Sequence, residues 1–171
     1  MQSVVLVVVD RLIKYTHFMT LPHPYTAAKV ANVYLQYVFK LHGMPSTIVS
    51  DRDPIFTSHF SRELMRLQGV ALNMSSSYPP QTDGQIEVVN KSLEHCLRAF
   101  AADKPTTWVE WLPLAEFWFN TNFHIAAKMT PFEALYGYPP PKVLDYVVGT
   151  TRVGAVDSLL KGRQQLLFLL K

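Results

Sequence analysis

The chain has 171 residues, 49% hydrophobic and 17% charged, enough apolar material for one packed core, which excludes a disordered tail. Its formal charge of +3 and pI near 9.0 permit a polyanionic partner without requiring one, because no Lys/Arg block stands out. A single cysteine, Cys96, excludes an intrachain disulfide and a Cys-x-x-Cys zinc pair. The N-terminus lacks the basic start and cleavage site of a signal peptide, and Val4–Val9 is too short to cross a bilayer.

In chain order, Val4–Val9 reads as a strand buried on both faces, because its apolar run is continuous. Tyr15–Leu21 reads as a second, antiparallel strand stopped by Pro22 and Pro24. Thr26 can cap a helix in which Val30, Val33, Tyr34, Tyr37, Val38 and Leu41 form one apolar face. Gly43 and Pro45 end it. A short strand at Thr47–Ser50 leads to Asp51. A helix over about 58–68 is expected to bury Phe60, Leu64 and Leu67, with Gly69 as its stop, followed by a strand at Val70–Met74.

The polar, proline-rich stretch 75–82 is a loop. A long helix from Asp83 is expected to bury Ile86, Val89, Leu93, Cys96, Leu97 and Phe100. Thr107 with Glu110, and Thr130 with Glu133, have the spacing of capping boxes. The spacing of Trp108, Trp111 and Trp118 puts them in the core of the helix between these boxes. Pro139–Pro141 marks a boundary between a domain at 1–141 and a connector at 142–171 that starts a further amphipathic helix. Strands first and then strands alternating with helices give a mixed α/β class.

Two carboxylates stand where chemistry is plausible. Asp51 follows a strand at its carboxyl end, where open α/β sheets present ligands. Glu87 lies in the first turns of the long helix, 35 residues intervening. Carboxylates from different elements can share hard divalent cations, and such ions assist phosphoryl transfer. On spacing alone, an ordinary turn residue and an ordinary exposed helix residue are the better explanation of the pair.

The segments Val7–Tyr15, His42–Asp53 and Tyr78–Asn90 resemble the core of gypsy-class long-terminal-repeat retrotransposon integrases. Phe119-Asn120-Thr121 and Thr130–Gly137 add two further family motifs in family order. The resemblance implies a ribonuclease H-like mixed sheet flanked by helices. It also implies metal-dependent end processing and strand transfer on DNA, with two Mg2+ or Mn2+ ions held by three acidic residues. Asp51 matches the second acid and Glu87 the third; Asp53 is set aside because the family's acid directly follows the strand's Val-Ser.

In the family the first acid lies on a strand upstream of the Val-Val-Val-Asp segment. Asp10 is therefore expected to cap a turn, the first, central strand to be missing, and its two neighbours to be left with open edges and a metal site that is weak or absent. Asn90 and Lys91 share a helix face with Glu87 and are candidate nucleic-acid contacts, as are Gln85 and Arg52. The expected partners are element ends and target DNA, with a homo-oligomer compatible, no membrane and no small-molecule cofactor; a functional chain would work in the nucleus. The alternative is a catalytically dead fragment, or a domesticated module that binds nucleic acid or protein.

Overall fold

The structure, a computed structural model, describes residues 3–50, 53–74, 83–100, 108–125, 127–141 and 144–169. The chain divides into two compact units, one of Met1–Asp10 with Thr16–Asn90 and the other of Arg11–Tyr15 with Lys91–Lys171.

In the first unit, β1 (Ser3–Val9) pairs antiparallel with β2 (Thr16–Pro22), placing Leu6 opposite Met19. A second pair, β3 (Thr47–Ser50) and β4 (Ala71–Met74), runs parallel. Among the described residues these are two separate two-stranded sheets. The expectation that the first strand is buried on both faces is not met. Every residue of β1 is half-buried, whereas Thr16–Met19 and Leu21 of β2 are buried. A continuous β-branched run reports strand propensity and the absence of a solvent face, and it cannot say how closely each face is covered. Among the described residues β1 pairs with β2 alone.

The core of this unit is Met19 and Leu21 of β2 with Val30, Val33 and Val38, against which Val4, Leu6, Val8, Ile55 and Phe56 pack. Truncating Leu21, 2% exposed, to alanine would cost about 2–5 kcal/mol. The Thr26 hydroxyl accepts the Lys29 amide and starts α1 (Ala27–Tyr34) as expected. The helix then widens into a π turn at Leu35–Phe39 before α2 (Lys40–His42). A π turn takes in an extra residue per turn, so the apolar face slips in phase. Val33 is followed on the buried side by Val38, while Tyr37 and Leu41 of the expected face are 52% and 59% exposed.

Two short helices follow β3. α3 (Pro54–Thr57), not expected from the sequence, is capped by Asp53 and has proline at its first position. α4 (His59–Leu67) is capped by Ser58, whose hydroxyl accepts the Ser61 amide. The expected stripe on α4 is not buried: Phe60 is 48% and Leu67 66% exposed, and Leu64 is half-buried. The helix packs instead through Ser61, whose hydroxyl donates to the Ile55 carbonyl at 2.7 Å. Gly69, at φ 68°, ends it in the left-handed conformation that glycine adopts without strain.

α5 (Asp83–Phe100) buries Val89, Leu93 and Cys96, while Ile86 is exposed, against expectation. Ile86 lies one turn before the first buried position, and the packed stripe begins only at Val89. In the second unit α6 (Trp108–Thr121) buries Leu112, Ala115, Phe119 and Asn120, and its three tryptophans are half-buried. Thr107, and with it the first expected capping box, lies outside the described residues. The second is present: Thr130 accepts the Glu133 amide, and Glu133 accepts the Thr130 amide, opening α7 (Pro131–Tyr136). α8 (Gly154–Leu169) is tied to the segment before it, since Asp157 accepts the Tyr146 hydroxyl at 2.6 Å and Gln164 accepts the Tyr146 amide at 2.8 Å. No helix of the described residues is long and apolar enough to cross a membrane.

Candidate metal and nucleic-acid site

β3 is held at both ends. The Ser46 carbonyl accepts the Ala71 amide just before the strand, and the buried Ser50 hydroxyl donates to the Met74 sulfur at 3.6 Å at its carboxyl end. The chain leaves this fixed strand directly into Asp51 and Arg52, which both lie outside the described residues. It resumes at Asp53, whose carboxylate accepts the Ile55 amide at 2.8 Å while its carbonyl accepts the amides of Phe56 and Thr57. This is a helix cap, built from an Asp-Pro step that pre-sets the first turn. The side chain of Asp53 is engaged in starting α3.

Glu87 sits in the second turn of α5 and is exposed. Burial of Val89, Leu93 and Cys96 fixes the rotation of the helix. Glu87, Asn90, Lys91, Glu94 and Arg98 are all exposed, and Gln85 is half-buried. Further along this helix Arg98 donates to Glu94 at 2.6 Å. Both partners are exposed, so this pair contributes little to stability. Asp10 follows β1, is exposed, and acts electrostatically on His42, where it favours the charged imidazole. Among the described residues no group of three or more His, Cys, Asp or Glu side chains is arranged to hold a metal ion.

One pair escaped sequence reasoning. The Nε2 atoms of His17 on β2 and His42 at the end of α2 are 2.9 Å apart. Histidines so far apart in sequence, one on a strand and one on a helix, carry no spacing signal. Only the three-dimensional packing of β2 beside the helix brings them together.

The comparisons agree with this architecture. No protein-family model matches the chain. It is 36% identical over 134 residues to the Transposon Tf2-3 polyprotein of Schizosaccharomyces pombe (strain 972 / ATCC 24843), a match that covers 78% of this chain and 10% of the polyprotein. The Tf2-4 polyprotein of the same organism matches equally. The chain thus spans about a tenth of the length of these relatives. Among solved structures, the catalytic core domain of BIV integrase superposes with a TM-score of 0.63 at 26% identity, over 77% of this chain and 84% of that one. The HTLV-2 integrase catalytic core domain, in complex with magnesium, gives a TM-score of 0.62 at 19% identity, over 75% of this chain and 82% of that one, a likeness of fold. By sequence and by ribonuclease H-like fold together, the chain belongs with the integrase catalytic cores of long-terminal-repeat retrotransposons.

Proposed function

We propose that this chain serves DNA integration as part of an integrase core, with Asp51 and Glu87 as two carboxylates of a divalent-cation site. The observation that carries the reading is the placement of Glu87 on the exposed face of α5, opposite the packed Val89, Leu93 and Cys96. One oxygen of the Asp53 carboxylate caps α3, which supports reading Asp51 as the metal-binding acid that follows β3. Two carboxylates are a hard, all-oxygen donor set suited to Mg2+ or Mn2+. When bound, such an ion would activate an attacking oxygen and stabilise a leaving one.

The chain's own residues do the rest. Lys91, one turn beyond Glu87, is positioned for a DNA phosphate, and Asn90 for phosphate or a base edge. Arg52 and Gln85 are further candidates for contacts with the nucleic acid in this reading. Phosphate contacts of this kind fix the register of the duplex and carry no sequence information. The substrates in this reading are element ends and target DNA, handled by more than one copy of the chain in the nucleus.

A second reading, a module that binds nucleic acid or protein without catalysis, draws on the two separate strand pairs. β1 is paired only with β2, and β3 only with β4, among the described residues. A carboxylate shell standing on incompletely paired strands is poorly clamped for in-line attack. Titration of the full chain with MnCl2 by calorimetry separates the readings. Weak saturable binding, lost in Asp51→Asn and in Glu87→Gln, is expected. Binding that survives both substitutions overturns the assignment, and DNA binding with no response to manganese favours the module.

A further inference from the structure

The contact between His17 and His42 has a geometry that selects among its uses. Their Nε2 atoms are 2.9 Å apart and their ring centroids 5.1 Å apart. With the centroids that far apart behind nitrogens so close, the two rings meet nearly head on. That is the arrangement of an N–H···N hydrogen bond. Two ligands of one metal ion would instead converge on a third point beside the line joining the nitrogens.

An imidazole nitrogen that accepts must be unprotonated. The bond therefore survives with the pair neutral or with one added proton, and it cannot survive with two. We infer that His17 and His42 form a proton-limited tether that fastens the carboxyl end of α2 to β2 and releases it when both rings are protonated.

The tether sits where release has a consequence. His42 is the last residue of α2, and Gly43–Ser46 leads from it into β3, whose first inter-strand bond runs from the Ala71 amide to the Ser46 carbonyl at 2.9 Å. Fixing His42 against β2 fixes where β3 begins. The bearing on Asp51, at the far end of β3, rests on the reading proposed above; the tether itself does not.

The surroundings make the second proton hard to add. His17 is 7% exposed. Burial, and then the charge of His17, hold His42 below the usual histidine range, with Asp10 opposing them. β1 and the π turn carry no charged residue, Lys29 of α1 is exposed, and the Lys40 amine lies over the Tyr37 ring. A group held below its unfolded value supports the fold above that value. Its contribution is lost as pH falls through the folded one. The tether is therefore closed at neutral pH and opens below the ordinary histidine range, about 6.5.

The test uses the full chain with 15N-labelled histidine. At pH 7.5 a through-hydrogen-bond nitrogen–nitrogen coupling is expected between His17 and His42 Nε2, vanishing on acidification. Hydrogen-exchange protection of the Ala71 amide, corrected for intrinsic pH dependence, should fall severalfold from pH 7.5 to pH 5. In His42→Gln, which cannot be protonated, that fall should be absent. Absence of the coupling at pH 7.5 overturns the tether whether or not the variant folds. So does a wild-type chain in which the two rings titrate independently at ordinary values while Ala71 stays protected.

Discussion

The carboxylate of Asp53 accepts the Ile55 amide at 2.8 Å, and this contact separates two acids that the sequence sets two positions apart. Asp53→Ala should remove a helix cap, at about 1 kcal/mol of stability, and leave manganese affinity unchanged. Asp51→Asn should do the reverse. Denaturant unfolding and manganese titration of both variants check this. If manganese binding is lost in Asp53→Ala and kept in Asp51→Asn, the two roles are exchanged.

Lys91 is exposed one turn from Glu87. If it meets a phosphate, Lys91→Ala should weaken binding about equally for all DNA sequences. The dependence of log K on log salt should flatten by about one unit. Filter binding across a salt series reads this. An unchanged slope returns Lys91 to an ordinary solvated face.

β1 is an apolar strand whose Val4, Leu6 and Val8 pack on the core, with β2 as its one strand partner among the described residues. Such an edge invites pairing between chains. Val7→Lys lies on the other face of the pleat and should reduce light scattering of concentrated protein. Leu6→Lys places a charge against the core and should destabilise by about 3 kcal/mol. Equal scattering in Val7→Lys and the native chain would clear the edge of responsibility.

Cys96 is 1% exposed, and burial pushes its thiol up to about 12. In a tightly packed chain it should react with a disulfide reagent roughly five-thousandfold more slowly than in denaturant, because reaction must wait for opening of a domain with about 5 kcal/mol of stability. Immediate reaction at pH 8 would show that the stripe of α5 is loosely packed.

Much of the fold was legible because it rests on local chemistry. The positions of β1 to β4, the caps at Thr26 and Thr130, and the stop at Gly69 follow from pattern, capping and turn residues that act within a few positions. What was not legible depends on partners distant in sequence. The Phe60–Leu64–Leu67 stripe of α4 has sound helical spacing, but spacing cannot say whether another element arrives to cover it. The π turn left no signal, since the 3.6-residue rule counted Tyr37 and Leu41 into a face that had already slipped. At the candidate site, Asp51 and Glu87 were marked by motif and spacing. The cap at Asp53 was readable from Asp-Pro and was nevertheless missed. The His17–His42 contact had to wait for the fold.

The widened turn at Leu35–Phe39 implies that this stretch carries one residue more than a regular helix needs. A chain shortened by one residue there could run as uninterrupted α-helix, with Val30 and Val33 undisturbed. Because the wider turn takes up that residue, everything downstream would keep nearly the same angle around the helix axis. His42 would still face β2, and β3 would start from much the same place. The surplus residue is contained within the turn, so the half of the helix that hands the chain on to β3 is oriented as it would be without it.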